Sequence, residues 1–168
     1  MRPPLTSAFA DPIHLRAPFG EAMTRIRIFI SFDGEHDADL HQQLYAQSTR
    51  PGSVFEFLAH SQGGVMSEAW TASSRSRIRA ADQVVVICGE HTNASPRVAA
   101  ELRIAQEEGK AYLLLWGRRE LMCTKPEGAK PADAMYSWDR EILESEMSAK
   151  LRKAKPLEVP EEYKRPGG

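Results

Sequence analysis

The chain has 168 residues, of which 42% are hydrophobic and 27% are charged, values typical of one globular domain with modest tails. The formal net charge of -1 argues against a nucleic-acid binder, because such proteins usually carry a basic excess. Two cysteines are too few for a disulfide framework, and no apolar stretch approaches the roughly 20 residues that a membrane span needs. We therefore expect a cytoplasmic protein that contacts neither nucleic acid nor a membrane.

Three parts are expected along the chain. Residues 1–22 contain four prolines but no apolar core of a signal peptide, and they predict a loose N-terminal extension. Residues 23–153 carry the patterned segments of a single domain. Residues 154–168, with three prolines and two terminal glycines, predict a flexible tail.

Four segments predict strands. Residues 25–32 alternate their apolar side chains, and residues 53–58 do so more weakly. Residues 83–89 and 111–117 are short, continuous apolar runs, which are typical of strands covered on both faces of a parallel sheet.

Helices are predicted between and after these strands, and residues 118–136 are predicted to form a loop. The clearest signal is Ser95 followed by Pro96, a helix start, with Gly109 as the matching stop. The other helices are expected to end near residue 47, to span about 67–81 and to span about 137–153. Strands that alternate with helices predict an α/β fold with a parallel sheet. Ligands of such sheets bind at the carboxyl ends of the strands, here residues 32–34, 60–61, 89–91 and 116–117.

Familiar catalytic motifs are missing from the sequence. It contains no GxGxxG after a strand, no GxxxxGK[ST], no GxSxG and no HExxH. The sequence therefore gives no support to a dinucleotide fingerprint, a P-loop, a nucleophile elbow or a metal site.

An acidic cluster follows the first predicted strand. The ordinary interpretation is helix capping and compensation of the helix dipole, and the alternative is that Asp33 contacts a ribose or a phosphate-bound metal. A phospho-acceptor receiver domain is disfavoured because residues 88–90, at the end of the third strand, include no Asp. The cluster comprises Asp33, Glu35, Asp37 and Asp39.

Glu101 lies beside the apolar stripe of the third predicted helix. An arbitrary Glu in such a place is usually half-exposed on the surface. The alternative is a carboxylate held near a strand-end cleft, where it could bind a ribose hydroxyl or stabilise an oxocarbenium-like transition state.

The remaining candidates are aromatic, histidine and serine residues near strand ends. Trp70 and Phe32 are interpreted first as core residues, and second as walls of a pocket for a flat ring. His60 and His91 are interpreted first as solvated loop residues and second as ligand contacts. Ser61, next to His60, is also a candidate substrate contact.

Two of these regions resemble the TIR domain family. Residues 27–35 (RIFISFDGE) are similar to the family's first box, a strand ending in F-[IL]-S-[FY] before a short charged loop. The segment that begins at Val84 resembles the second, a strand followed by S-x-W-C-x-x-E on a helix and then Gly-Lys. Ser95 and Glu101 match that spacing, but Arg97 replaces the Trp and Val98 replaces the Cys.

The resemblance covers about residues 24–117. Residues 118–153 do not match animal or plant TIR patterns, so the chain looks more like the compact TIR-like proteins of prokaryotic antiphage systems, those of the Thoeris type among them. The fold implied is flavodoxin-like, with three layers and a central parallel sheet of four to five strands.

The resemblance also implies an activity. Many TIR domains cleave the nicotinamide-ribosyl bond of NAD, and some cyclise the ADP-ribose into a signal. Glu101 would be catalytic, Phe32 and Asp33 would line the nicotinamide side, and a loop at about 60–66 would gate the site or mediate self-association. Trp70, Ser61 and His91 are expected as further substrate contacts from their places near strand ends, without a motif match. NAD would be the substrate, with no cofactor, and a downstream effector would respond to the nucleotide product.

Two other functions remain open at this point. A non-enzymatic TIR interaction module is favoured by Arg97, because loss of the family Trp could weaken the slot for the base. An enzyme resembling nucleoside deoxyribosyltransferases would also place a Glu on an α/β sheet, but would use it as a covalent nucleophile.

Overall fold

A computed structural model describes residues 24–154 of the chain. The extension predicted for residues 1–22 and the tail beyond residue 154 lie outside the described residues.

Five strands and four α-helices make up the described domain. In chain order they are β1 (Ile26–Ser31), α1 (Ala38–Ser48), β2 (Phe55–His60), α2 (Glu68–Ala80), β3 (Gln83–Cys88), α3 (Pro96–Glu107), β4 (Ala111–Trp116), β5 (Met135–Tyr136) and α4 (Arg140–Ala154). A single 3-10 turn, Thr92–Ala94, separates β3 from α3. Among the described helices, none combines the length and the apolar character that crossing a bilayer requires.

All the strands pair in parallel, in the order β2-β1-β3-β4-β5. This is the strand order of flavodoxin-like folds, so the predicted three-layer α/β architecture is confirmed. The chain moves outward from β1 in one direction to β2 and in the other to β3. The crevice at the carboxyl ends of β1 and β3 is therefore the topological switch point, where such sheets bind ligands.

Apolar side chains cover both faces of the sheet. On one face, Ile28 and Ile30 of β1 join Leu44 of α1 and Leu143 of α4 in one buried cluster. On the other face, Phe29 belongs to a second cluster that includes residues of α2 and α3. Burial on both sides explains why β3, in the middle of the sheet, is apolar without interruption after its first residue, Gln83.

The structure differs from the predicted elements in three places. β2 begins and ends two residues later than predicted, and its register against β1 shifts after Ile28. This irregularity leaves Leu58 half-exposed and disrupts the alternation that would have marked the rest of the strand. β5 lies inside the predicted loop, and α4 begins at Arg140 rather than near residue 137.

Candidate active site

A buried glutamate joins the carboxyl ends of β1 and β2 to α3. The hydroxyls of Ser31, which ends β1, and Ser61, which follows β2, each donate a 2.6 Å hydrogen bond to Oε1 of Glu101. Ser61 Oγ also accepts a 3.1 Å hydrogen bond from the backbone N–H of Phe32. None of the surface of Glu101 is exposed, so the expectation of an ordinary half-exposed surface Glu is wrong.

Local sequence explains how α3 holds this glutamate. The hydroxyl of Ser95 accepts a hydrogen bond from the N–H of Val98, and Pro96 occupies the first turn, as predicted. Val98 and Leu102 are fully buried against the sheet. Glu101 lies three positions after Val98 and shares its face of the helix. α3 follows β3, so its first turns lie at the carboxyl edge of the sheet, beside Ser31 and Ser61.

The surroundings of Glu101 set its ionisation. Burial raises the pKa of its carboxyl to about 7, because the charged form loses its hydration. The hydrogen bonds from Ser31 and Ser61 lower that pKa, as do the positive charges of Arg77 and Arg97. Oε2 is buried with no hydrogen-bond partner among the described residues. One carboxylate oxygen is thus fixed by two hydroxyls, and the other has free capacity to interact with a positive charge.

Arg77 of α2 is a partly buried cation that the sequence gave no reason to single out. Its Nη1 donates a 2.5 Å hydrogen bond to the carbonyl of His60, and its guanidinium carbon lies 5.4 Å from the centre of the Phe29 ring. Nε and Nη2 are buried without a hydrogen-bond partner in the described part of the chain. Burial lowers the pKa of Arg77, and the charge of Glu101 opposes that effect. Arg77 therefore contributes positive potential from beneath the carboxyl edge.

A cavity of about 690 Å³ opens above Glu101 at the switch point; we call it the switch-point cavity. Its walls come from the turn after β1, the loop after β2 and the start of α3. Four of the predicted substrate contacts line it: Phe32, Asp33, Ser61 and His91. Glu101 is not in the wall, so Ser61 is the side chain that both faces the cavity and touches the glutamate.

Histidines and an aspartate cluster on one side of this cavity. Asp33 Oδ2 lies 2.9 Å from Nδ1 of His36, and Oδ1 accepts from the N–H of Glu35. The hydrogen bond that the His36 ring makes to the carboxylate of Asp33 raises the pKa of His36. The rings of His36 and His91 stack with their centres 4.0 Å apart. Asp33, Glu35 and His36 each offer an atom with which they could hold a metal ion, although both oxygens of Asp33 already have partners, the His36 ring and the backbone N–H of Glu35.

His60 does not join that group. Its ring lies 6.1 Å from Phe32 and 4.7 Å from His41, centre to centre, and its Nδ1 lies 2.6 Å from the carbonyl of Ser61. It is absent from the residues that line the switch-point cavity.

The acidic cluster follows the capping and dipole interpretation only in part: Asp39 lies in the first turn of α1, as dipole compensation predicts, but Asp37 makes no side-chain cap. Asp37 occupies the N-cap position of α1, yet its side chain makes no cap hydrogen bond. Instead the guanidinium of Arg118, after β4, lies 3.1 Å from Asp37 and 2.8 Å from Asp39. These carboxylates anchor the segment that follows β4 to the start of α1.

Comparison with known protein families identifies the family of this chain. The TIR-like domain of the Thoeris protein ThsB matches residues 29–119, which is more than half of the chain. The chain belongs to this family. The match places it among TIR-like proteins of the antiphage Thoeris type and includes Ser31, Ser61, Arg77 and Glu101. A comparison with curated proteins gave no match.

Arg97, which stands where the family motif has a Trp, holds a loop in place in this TIR-like domain. The guanidinium of Arg97 donates to the carbonyls of Gln62, at 3.1 Å, and Gly64. It also lies 5.8 Å from the centre of the Trp70 ring, and Trp70 Nε1 donates to the same carbonyl of Gln62. Trp70 is buried and is not part of the cavity wall. Arg97 and Trp70 together hold the loop after β2 against α2 and α3.

Proposed function

We propose that this chain is a TIR-type NAD-consuming enzyme that acts in prokaryotic immune signalling. It would cleave the nicotinamide-ribosyl bond to give nicotinamide and either ADP-ribose or a cyclic or otherwise modified ADP-ribose. The observation that carries the proposal is Glu101, fixed by Ser31 and Ser61 under a cavity at the switch point. Burying a carboxyl without a paired cation costs stability, and active sites are where such costs concentrate.

The chemistry requires little of the protein. When the bond breaks, its electron pair moves to the cationic ring nitrogen of nicotinamide, which leaves as a neutral molecule. Positive charge develops on the ribosyl carbon and its ring oxygen, and the ionised carboxylate of Glu101 stabilises it. Water, or an adenine nitrogen of the same molecule, then bonds to that carbon and loses a proton.

The cavity residues would bind and orient NAD. Phe32 lines the cavity next to Ser61, to which its backbone N–H donates, while Asp33 and Ser61 offer polar groups to the nicotinamide or the ribose. His91 lies on the same side as Asp33, stacked on His36. No resident cofactor is proposed, since NAD is the substrate and the leaving group is already activated.

Access to Glu101 requires movement. The carboxyl is fully buried, and Arg97 fixes the loop above it through the carbonyls of Gln62 and Gly64. We propose that this loop moves when NAD binds or when copies of the chain assemble. Val65 is 84% exposed at the tip of the loop, and Met66 is partly exposed beside it. These apolar side chains support self-association through the loop, in the cytoplasm, with a separate effector responding to the product.

A non-enzymatic interaction module is the second candidate. It is favoured by the same closed arrangement, because Glu101 does not reach the cavity wall and Arg97 occupies the position of the family Trp.

Turnover of NAD by the purified full chain separates the two candidates. The protein is assayed at high concentration with a crowding agent, and nicotinamide and all ADP-ribose products are resolved by mass. The test variant is Glu101→Gln. The matched control is Glu107→Gln on the same helix, whose carboxylate pairs with Arg75 at a half-exposed position.

We expect the wild type and Glu107→Gln to release nicotinamide, and Glu101→Gln to release none. Absence of turnover in the assembled wild type would favour the interaction module. A deoxyribosyl adduct on Glu101, detected by intact mass after incubation with a deoxynucleoside, would instead identify a transferase.

A further inference from the structure

A second cavity, of about 710 Å³, opens on the other side of the carboxyl edge; we call it the arginine cavity. It lies where β4 ends and β5 begins, between these strands and the last turns of α1. It shares no lining residue with the switch-point cavity. Its volume lies in the range of small-molecule sites.

The arginine cavity has a strongly positive wall. Arg50, Arg119 and Arg140 line it, and no Asp or Glu of the described chain does so. Arg140 pairs through Nε with Glu144 at 3.2 Å. Within residues 24–154, Arg50 and Arg119 make no side-chain ion pair. Three guanidinium groups around one cavity in a chain of net charge -1 form a concentrated anion site.

Two tryptophans supply flat apolar surface in the same cavity. Trp116 Nε1 donates to the carbonyl of Arg118 at 2.8 Å, and Trp138 Nε1 donates to Oε1 of Gln47 at 2.9 Å. Both indole N–H groups are therefore satisfied within the protein, and both rings are held in place. What the rings offer a ligand is their apolar surface, on which a planar group can stack.

We propose that the arginine cavity binds a nucleotide, with its phosphates on the arginines and its base against the tryptophans. Guanidinium groups match phosphate oxygens in charge and geometry. Free phosphate would leave the tryptophans unused, and a nucleic-acid strand would need a longer basic surface than one cavity with three arginines. The cavity spans the end of β4, the segment around β5 and the end of α1, so phosphates and a base could contact it at the same time. The inference does not depend on NAD cleavage, because the two cavities have no residue in common.

Tryptophan fluorescence of the full chain tests this site directly. The chain has three tryptophans, so Trp70→Phe leaves only the two that line the arginine cavity. ADP is titrated into this variant, and adenosine and inorganic pyrophosphate are titrated in parallel. The same titrations are repeated with a double variant that carries Arg50→Ala and Arg119→Ala in addition to Trp70→Phe. The matched control is Arg103→Ala, an exposed arginine on α3.

We expect saturable quenching by ADP, at least tenfold weaker binding in the double variant and unchanged binding in the Arg103→Ala control. Adenosine and pyrophosphate should each bind at least tenfold more weakly than ADP. No saturable quenching at millimolar ADP, or equal affinity in the double variant, would overturn the proposal. Pyrophosphate binding as tightly as ADP would overturn the nucleotide assignment. Should the double variant not fold, Arg119→Gln alone provides the same comparison.

Discussion

Replacing Glu101 by Gln should change how the stability of this protein depends on pH. In the unfolded chain the carboxyl has an ordinary pKa of 4.5, and in the fold burial raises it to about 7. Between these values the folded protein holds a proton that the unfolded chain has already released. Rising pH therefore favours unfolding over this window. The stability that the protonated carboxyl contributes is lost as the pH rises past about 7.

The magnitude follows from the two pKa values. Proton linkage gives a loss in the free energy of unfolding of about 2.5 kcal/mol between pH 5 and pH 8 from this carboxyl alone. Gln cannot ionise, and its carbonyl oxygen can still accept from Ser31 and Ser61. Its amide nitrogen would replace the unpartnered Oε2, at a cost that does not vary with pH. The substitution therefore removes the pH dependence that Glu101 gives to the free energy of unfolding, whatever its effect on the absolute stability.

Urea denaturation at pH 5, 6, 7 and 8 measures this slope. The free energy of unfolding of the wild type, minus that of Glu101→Gln, should fall by about 2.5 kcal/mol from pH 5 to pH 8. His36 and the other titrating groups cancel in the comparison, because they do not contact Glu101. Glu107→Gln, with a half-exposed carboxylate, should keep the wild-type slope. Parallel profiles for the wild type and Glu101→Gln would refute the argument that Glu101 is buried with a raised pKa.

Three further substitutions test the surroundings of the site. Arg97→Ala removes the donors that hold the loop after β2, so amide hydrogen exchange in residues 62–66 should rise at least tenfold. Ser61→Ala removes one of the two hydrogen-bond donors to Glu101. Because a hydrogen bond to a charged group is worth about 1.5 kcal/mol, the pKa of Glu101 should rise by about one unit. The midpoint of the pH profile of stability measures this rise. Gly89→Ala should lower the free energy of unfolding by about 1–3 kcal/mol, measured by urea denaturation, because a Cβ there would lie 2.4 Å from an oxygen of Asp37.

Two of these substitutions, Arg97→Ala and Gly89→Ala, have a matched control. Arg103→Ala, on the exposed face of α3, should leave exchange in the loop unchanged. Gly34→Ala should leave stability nearly unchanged, because a Cβ at that position meets nothing within 4 Å. The reasoning fails if exchange in the loop of Arg97→Ala stays at the wild-type rate. It also fails if Ser61→Ala keeps the wild-type midpoint, or if Gly89→Ala is as stable as Gly34→Ala.

The elements that sequence predicted well carry strong local signals. β3 and β4 are continuous apolar runs, and α3 has both its N-cap Ser95 and its stop at Gly109, whose φ is +66°. β5 has two residues, too few to show any periodicity, and its pairing with β4 is a tertiary effect. The end of β2 was obscured by the shift in register beyond Ile28.

The candidate site could be predicted only in part. The alternation of strands and helices predicted that the site lies at the carboxyl edge of the sheet. The spacing of the second TIR motif predicted Glu101 as the catalytic residue. The burial of that glutamate depends on Ser31, 70 positions earlier in the chain, and Ser61, 40 positions earlier, and no local pattern encodes such contacts. Arg77 was missed because arginines on helices are usually exposed. Its position three residues after the buried Ser74 was the available signal.

The central claim is that the buried carboxylate of Glu101 cleaves NAD, and nicotinamide release tests it most directly. Wild type and Glu101→Gln would be assayed side by side at equal, high protein concentration, after circular dichroism has shown both to be folded. The account predicts nicotinamide from the wild type and none above the background from Glu101→Gln. Nicotinamide release at the wild-type rate from the folded Glu101→Gln variant would contradict it.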